Sequence, residues 1–372
     1  MKRLLVLLIG IIIVSFIAFN PLNKEKGTSE TTTSTIQKYT NIFKQDDEAT
    51  TKNDEISLKE LPNQKTLGNI HHVFQTFNNC GPASLSIALS YFDIIESQQS
   101  LGQALRPYQN PQGDNDDKSV TLEELAEKAE EFGFVSYHRP AGNIELLKNF
   151  VNNDMPVITR TWLKPNEDIG HFRVVKGFDN LRGHLIQDDS LQGKNLRYTY
   201  DEFNAIWKKF NYEYLVLVPK NKIEIAEKIL GENTEEQVAW TNALGLSQSE
   251  LAKNPNDVDA RFNLSVAWNH VGNHQEAVKE FEKVQNQLSR RTLWYQIEPV
   301  LSYYYLEDYD KVFEISDHVL ADGNRAFSEL YVLRGEIYLK QGKKDLAKQE
   351  FEKAVFYNTS LKSAQEALEK VQ

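Results

Sequence analysis

One cysteine in 372 residues, Cys80, excludes an internal disulfide. Basic charge is also scarce. With 42 Lys and Arg against 53 Asp and Glu, the net charge is −11. No Lys/Arg patch beyond the first few residues offsets it, which argues against a nucleic-acid partner, because phosphate binding needs a basic surface. The acidic stretch "GDNDDK", Gly113–Lys118, lacks a calcium loop that closes on a glutamate, so it reads as a solvated loop and no metal or cofactor is expected. What is present is an ordinary globular composition, 40% hydrophobic and 26% charged. The chain is long for one core, and two domains are expected.

The N-terminus departs from that average. Lys2 and Arg3 precede an uncharged apolar run from Leu4 to Phe19. Its length falls between a signal-peptide core of about 7–15 residues and a spanning helix of about 17–25. No small-residue pair marks a cleavage site, since Phe16 stands two places before Ala18. No cysteine lies near the run, so lipid attachment there is excluded. Residues 1–22 are therefore read as a signal-anchor holding an extracytoplasmic body at the cell membrane, with a cleaved signal and secretion as the alternative. Residues 23–66, rich in Thr, Ser and charge, are read as a flexible spacer. Outside the cytoplasm a lone free thiol is an oxidation liability, which points Cys80 towards chemistry.

Its setting agrees. In "QTFNNCGPASLSIALSYF" the apolar run after Pro82 is long enough for a buried helix, with proline tolerated in the first turn. Cys80 then sits at a helix N-terminus, where the dipole favours the thiolate. Gln75, five residues upstream, carries an amide that could donate to an oxyanion forming beside the sulfur. Among eight histidines, His171 opens "GHFRVVKGFDN", a strand pattern turning at Asp179-Asn180 into "GHLIQDDS". Such a hairpin brings His171 near Asp188 and Asp189 and leaves the competing His184 at the turn end. A histidine and a carboxylate so placed can form a base and its orienter.

Together these stretches resemble the bacteriocin-processing, double-glycine-leader cysteine peptidases, a family of papain-like fold. "TLEELAEKAEEFGF" and "NIELLKNFVNNDMPVITR" are similar to that family's helices and to its inner strand. The resemblance spans roughly residues 67–220 and implies an α+β papain-like domain with Cys80 as nucleophile, His171 as base, an aspartate as orienter and Gln75 as oxyanion donor. Asp189 is aligned as the orienter, although Ser190 follows it where the family usually has proline; Asp188 is the second candidate. The implied function is a cysteine peptidase acting on a peptide or protein substrate. A catalytically silent scaffold and a thiol acyltransferase or transglutaminase-like enzyme remain alternatives. Nothing in the chain resembles a transporter or a nucleotide-binding domain.

Residues 221–372 read differently. "AVKEFEKV" at Ala277 returns as "AKQEFEKA" at Ala347, with a degraded copy, "YYYLEDYDKVFEISDHVLA", half-way between. A repeat of this period with glycine at the inter-helix turn resembles tetratricopeptide repeats. An all-α domain of three helix pairs from about Asp257 to Tyr357, closed by a capping helix, is expected, with a concave face able to bind a protein partner.

Overall fold

The computed structural model describes residues 57–68, 71–108 and 120–372. The expected anchor at 1–22, most of the spacer and the acidic loop at 113–118 lie outside the described residues. Among the described residues no helix is long and apolar enough to cross a membrane.

The first half is one antiparallel sheet with helices on both faces. Its strands are β1 (Gln64–Thr66), β2 (Val135–Arg139), β3 (Val157–Trp162), β4 (Gly170–Asp179), β5 (His184–Asp189), β6 (Gly193–Thr199) and β7 (Tyr214–Val218). They lie in the order β2-β7-β3-β4-β5-β6, with β1 paired to β4. The helices of this half are α1 (Cys80–Ser90), α2 (Gln98–Leu105), α3 (Leu122–Glu130), α4 (Ile144–Asn152), α5 (Tyr200–Trp207) and α6 (Ile223–Leu230). Period-two alternation along β4 sends Phe172 and Val174 into a core with Leu85, Ile87 and Leu125. Val175, on the opposite face, and Phe178, beyond a shift of register at the β5 pairing, enter a second core with Phe150, Phe203 and Trp207. The central strand is buried along its whole length, which locks its register against a one-residue slip.

Both expected boundaries of this domain move outwards. Gln64–Thr66, read as spacer, pairs with Gly177–Asp179, and Lys65 Nζ reaches Asn152 O (2.8 Å) and Asp154 Oδ1 (2.6 Å). At the other end α6, read as the start of the repeats, buries Ala226 and Leu230 in the same core as Phe150 and Trp207. Those residues are four apart and share one helix face, so the face rather than its place in the chain assigns the helix.

The second half is all helical: α7 (Glu236–Lys253), α8 (Val258–His270), α9 (His274–Glu282), α10 (Thr292–Tyr295), α11 (Glu298–Tyr305), α12 (Tyr309–Ala321), α13 (Ser328–Lys340), α14 (Lys344–Tyr357) and α15 (Lys362–Glu369). The pairs α8–α9, α11–α12 and α13–α14 follow the repeat, and α15 packs on the last of them. Gly272 (φ +81°) and Gly342 (φ +74°) turn the first and third pairs in the left-handed region. The degraded middle copy lacks that glycine, and Glu307 adopts φ 61° in its place. Phe262, Val266, Phe281, Val300 and Leu330 share one stacked core, as repeats that bury surface only against their neighbours require.

Charge pairs join the halves. Lys208 bridges Glu250 (3.0 Å) and Asp257 (2.8 Å), and Lys209 meets Asp259 (2.5 Å).

Candidate active site

Helix α1 starts at Cys80, and all eleven of its residues are buried. Asn79, in the capping position, does not cap the helix with its side chain. Its carboxamide is used sideways: Nδ2 donates to Thr76 Oγ1 (2.7 Å) and Oδ1 accepts from Arg106 Nη1 (2.7 Å). The Gly81 amide is thereby left to hydrogen-bond the sulfur. Gly102 brings α2 close enough that a side chain there would meet Asn79 Oδ1 at 2.7 Å. The Arg106 guanidinium also binds Asn78 O (2.6 Å), so a buried cation braces the turn that presents the thiol.

The hairpin does what the pairing requires. His171 Nε2 stands 3.0 Å from Asp189 Oδ1, with both side chains buried. Burial disfavours the imidazolium, but hydrogen bonds and charge from Asp189 and Cys80 outweigh it and hold His171 above its ordinary value. Burial likewise pushes the Cys80 thiol up; the hydrogen bond and charge of His171, with Arg106 and the Gly81 amide, more than reverse this and hold it below its ordinary value. Burial also opposes ionisation of Asp189, yet His171, Arg173 and the Gln192 amide depress its carboxyl to about 2. Its Oδ1 accepts from the amides of Leu191 (2.7 Å) and Gln192 (2.8 Å), and Arg173 Nη1 binds Oδ2.

The neighbouring carboxylate faces elsewhere. Asp188 pairs with Lys176 (2.7 Å) and accepts from the Tyr91 hydroxyl (3.0 Å) and the Asn195 amide (3.0 Å). Alternation along β4 and β5 explains the split. Arg173 and His171 share a face with Asp189, whereas Asp188, opposite Val174, takes the other face, where Lys176 meets it at the register shift between Val175 and Gly177. His184 lies opposite Asp179 at the turn end, away from this cluster.

Gln75 is tied to the residue after Asp189. Its amide donates to Ser190 O (2.8 Å), and its Oε1 accepts from Ser190 Oγ (2.8 Å). With the carbonyl end occupied, the NH2 end has no partner among the described residues. His72 adds a contact between its Nε2 and Asp189 O at 3.0 Å. The structure thus brings Cys80, His171 and Asp189 together and links Gln75 to them through Ser190.

Sequence reasoning missed Arg106, Asn79 and Arg173. Arg173 had a signal, a basic residue inside a strand that is otherwise apolar and followed by paired aspartates. Arg106, in "LGQALRPYQN", had none. Among the described residues no cluster of three or more His, Cys, Asp or Glu is placed to hold a metal ion.

Residues 60–215 match the model of the Peptidase_C39 like family, and residues 328–358 match a tetratricopeptide repeat. Among solved structures, the peptidase domain of Streptococcus ComA, a bi-functional ABC transporter involved in quorum sensing, is 24% identical. That match covers 40% of this chain and 97% of that one at a TM-score of 0.32. A double glycine motif protease from an AMS/PCAT transporter, solved with its leader peptide, is 18% identical over 42% of this chain and 94% of that one, TM-score 0.32. MamA is 16% identical over 36% of this chain and 78% of that one, TM-score 0.32. No curated protein matches the chain. Residues 60–215 thus resemble the Peptidase_C39 like family, in a domain of papain-like α+β fold, and a helical region follows in which residues 328–358 resemble a tetratricopeptide repeat.

Proposed function

We propose that this protein is an extracytoplasmic, membrane-anchored cysteine peptidase that hydrolyses peptide bonds through Cys80, His171 and Asp189, with its helical repeats binding a protein partner. The observation that carries the reading is the buried contact of His171 with both Cys80 and Asp189, which favours a thiolate–imidazolium pair. In the reaction the thiolate adds to the scissile carbonyl. The tetrahedral oxyanion takes a hydrogen bond from the Gln75 amide, and the His171 imidazolium gives its proton to the departing amine. Water then attacks the acyl-enzyme with His171 as base, which releases the acid and restores the pair. Asp189 keeps the imidazole oriented and ionised without itself reacting. The export and anchoring rest on Lys2-Arg3 and the apolar run that follows.

A catalytically silent scaffold is the second reading, favoured by the low exposure of the thiol, 7%. A thiol-directed activity probe on the full-length protein separates the two. Labelling of Cys80 under reducing conditions, lost in Cys80→Ala, is expected; absence of labelling would favour the scaffold. Gln75→Ala is expected to leave alkylation intact yet reduce turnover about 10²-fold, because an oxyanion donor acts only once the tetrahedral intermediate forms. Equal losses in labelling and turnover would show that Gln75 supports the fold instead.

A further inference from the structure

Tyr295 belongs to the helical half, 215 positions beyond Cys80, yet it lies against the site. The segment that carries it is fastened to the peptidase domain at several points. Arg291 Nη1 meets Asp168 Oδ1 at 2.6 Å, and its amide donates to Asp168 Oδ2 at 3.1 Å. Arg160 Nη2 donates to Tyr295 O at 3.0 Å, and Gln296 Nε2 donates to Lys209 O at 3.1 Å. The buried Arg160 guanidinium is itself held 4.7 Å above the Phe210 ring. The ring of Tyr295 meets Trp162 and Phe210 edge-on, at centroid distances of 6.4 Å and 6.1 Å.

The far edge of that ring reaches Gly170, the residue directly before His171. A Cβ at position 170 would fall 3.0 Å from Tyr295 Cε1 and 3.1 Å from Cζ, so any side chain there would force the ring back by a few tenths of an ångström. The Gly170 amide faces the phenol oxygen, which carries the proton of the hydroxyl. Burial and the Cys80 charge both keep it on the phenol. The charged groups acting on the phenol are Cys80, Arg291 and Arg160; those acting on the thiol are His171 and Arg106.

We propose that Tyr295, supplied by the helical region, is a positioning residue of the peptidase site: its hydroxyl and ring fix Gly170 and thereby set the place of His171 against Cys80. The inference rests on the thiol-peptidase reading above and makes the site a product of both domains. A His171 displaced from the sulfur would weaken the thiolate–imidazolium pair, and the thiol would return towards ordinary behaviour.

The test is the pH profile of Cys80 alkylation by iodoacetamide in the full chain, read by mass spectrometry for wild type, Tyr295→Phe, Tyr295→Ala and Gly170→Ala, beside their thermal unfolding. Tyr295→Phe keeps the ring and removes only the hydroxyl, so it is expected to fold normally. Its alkylation at about pH 6 should be slower by roughly threefold to tenfold, since one unit in the thiol pKa is a factor of about ten in thiolate. Gly170→Ala, which pushes the ring away, should reproduce the Tyr295→Ala profile. A Tyr295→Phe profile that overlays wild type would overturn the proposal even if Tyr295→Ala unfolds more readily, because ring packing alone would then account for the residue. A wild-type profile of an ordinary thiol would overturn the thiolate reading as well. A wild-type profile that keeps its reactivity at low pH and is left unmoved by every variant would overturn only the role of Tyr295.

Discussion

His171→Ala is expected to abolish turnover by at least about 10⁴-fold, the scale seen when the base of a nucleophile–base unit is removed. The same variant should shift Cys80 alkylation to higher pH. In the folded protein His171 is held protonated above its ordinary value and the thiol ionised below its own, each because of the other and in spite of burial. Alkylation of wild type should therefore persist well below about pH 8, where an isolated thiol of pKa about 8.5 loses reactivity. Without the imidazolium, burial acts on the thiol against only Arg106 and the Gly81 amide. The linkage has opposite signs for the two partners. The raised His171 adds stability below about pH 6.5 and loses it as pH rises through its higher folded value. The depressed Cys80 adds stability above about pH 8.5 and loses it as pH falls through its lower folded value. His184→Ala, at the turn end of the hairpin, should change neither alkylation nor turnover. If His184→Ala removes low-pH reactivity and His171→Ala does not, the base is misassigned.

Asp189→Asn is expected to damage both chemistry and fold, and the comparison with Asp188→Asn separates the two. The Asp189 carboxylate is buried between His171, Arg173 and two backbone amides. Removing its charge leaves the fully buried Arg173 without its anion, a change that costs about 3–5 kcal/mol. It also removes the orienter of His171, for which a loss of about 10²–10⁴ in turnover is expected. Asp188→Asn similarly strips Lys176 of its partner but touches no group of the candidate site. Both variants should therefore melt earlier, while only Asp189→Asn should be slow per folded molecule. If the two are equally slow, the carboxylates matter through the fold alone. The acid limb gives a second reading. A carboxyl depressed to about 2 contributes stability that is complete above its unfolded value near 4 and is lost as pH falls through about 2. Over that window wild type should lose about 2 kcal/mol that Asp189→Asn has already lost.

Much of this was legible because it is local. A buried helix beginning at a cysteine, a strand–turn–strand pattern that starts with a histidine and ends with two aspartates, and a helical repeat with glycine at its turns are all written in neighbouring residues. Such periods survive in any context, so the buried helix, the hairpin and the stacked helix pairs could be read from the residues alone, together with the short set of groups able to carry thiol chemistry, while the papain-like α+β fold came with the family resemblance.

What it left open depends on contacts between distant segments. Asp188 and Asp189 are equivalent in a string of letters. They differ once β4 and β5 pair, because neighbouring strand residues take opposite faces: Asp189, opposite Arg173, turns towards it and His171, and Asp188, opposite Val174, turns towards Lys176. The strand Gln64–Thr66 has no pattern of its own and is ordered only by the open edge of β4. Helix α6 reads like the repeats that follow it, yet its apolar face found Phe150 and Trp207. Arg106 and Tyr295 carry no local mark at all. They come to the site because α2 and the helical region pack against it: Arg106 binds Asn78 and Asn79, and the Tyr295 ring lies against Gly170, 125 positions before it, a contact fixed only by the packed shape of both domains.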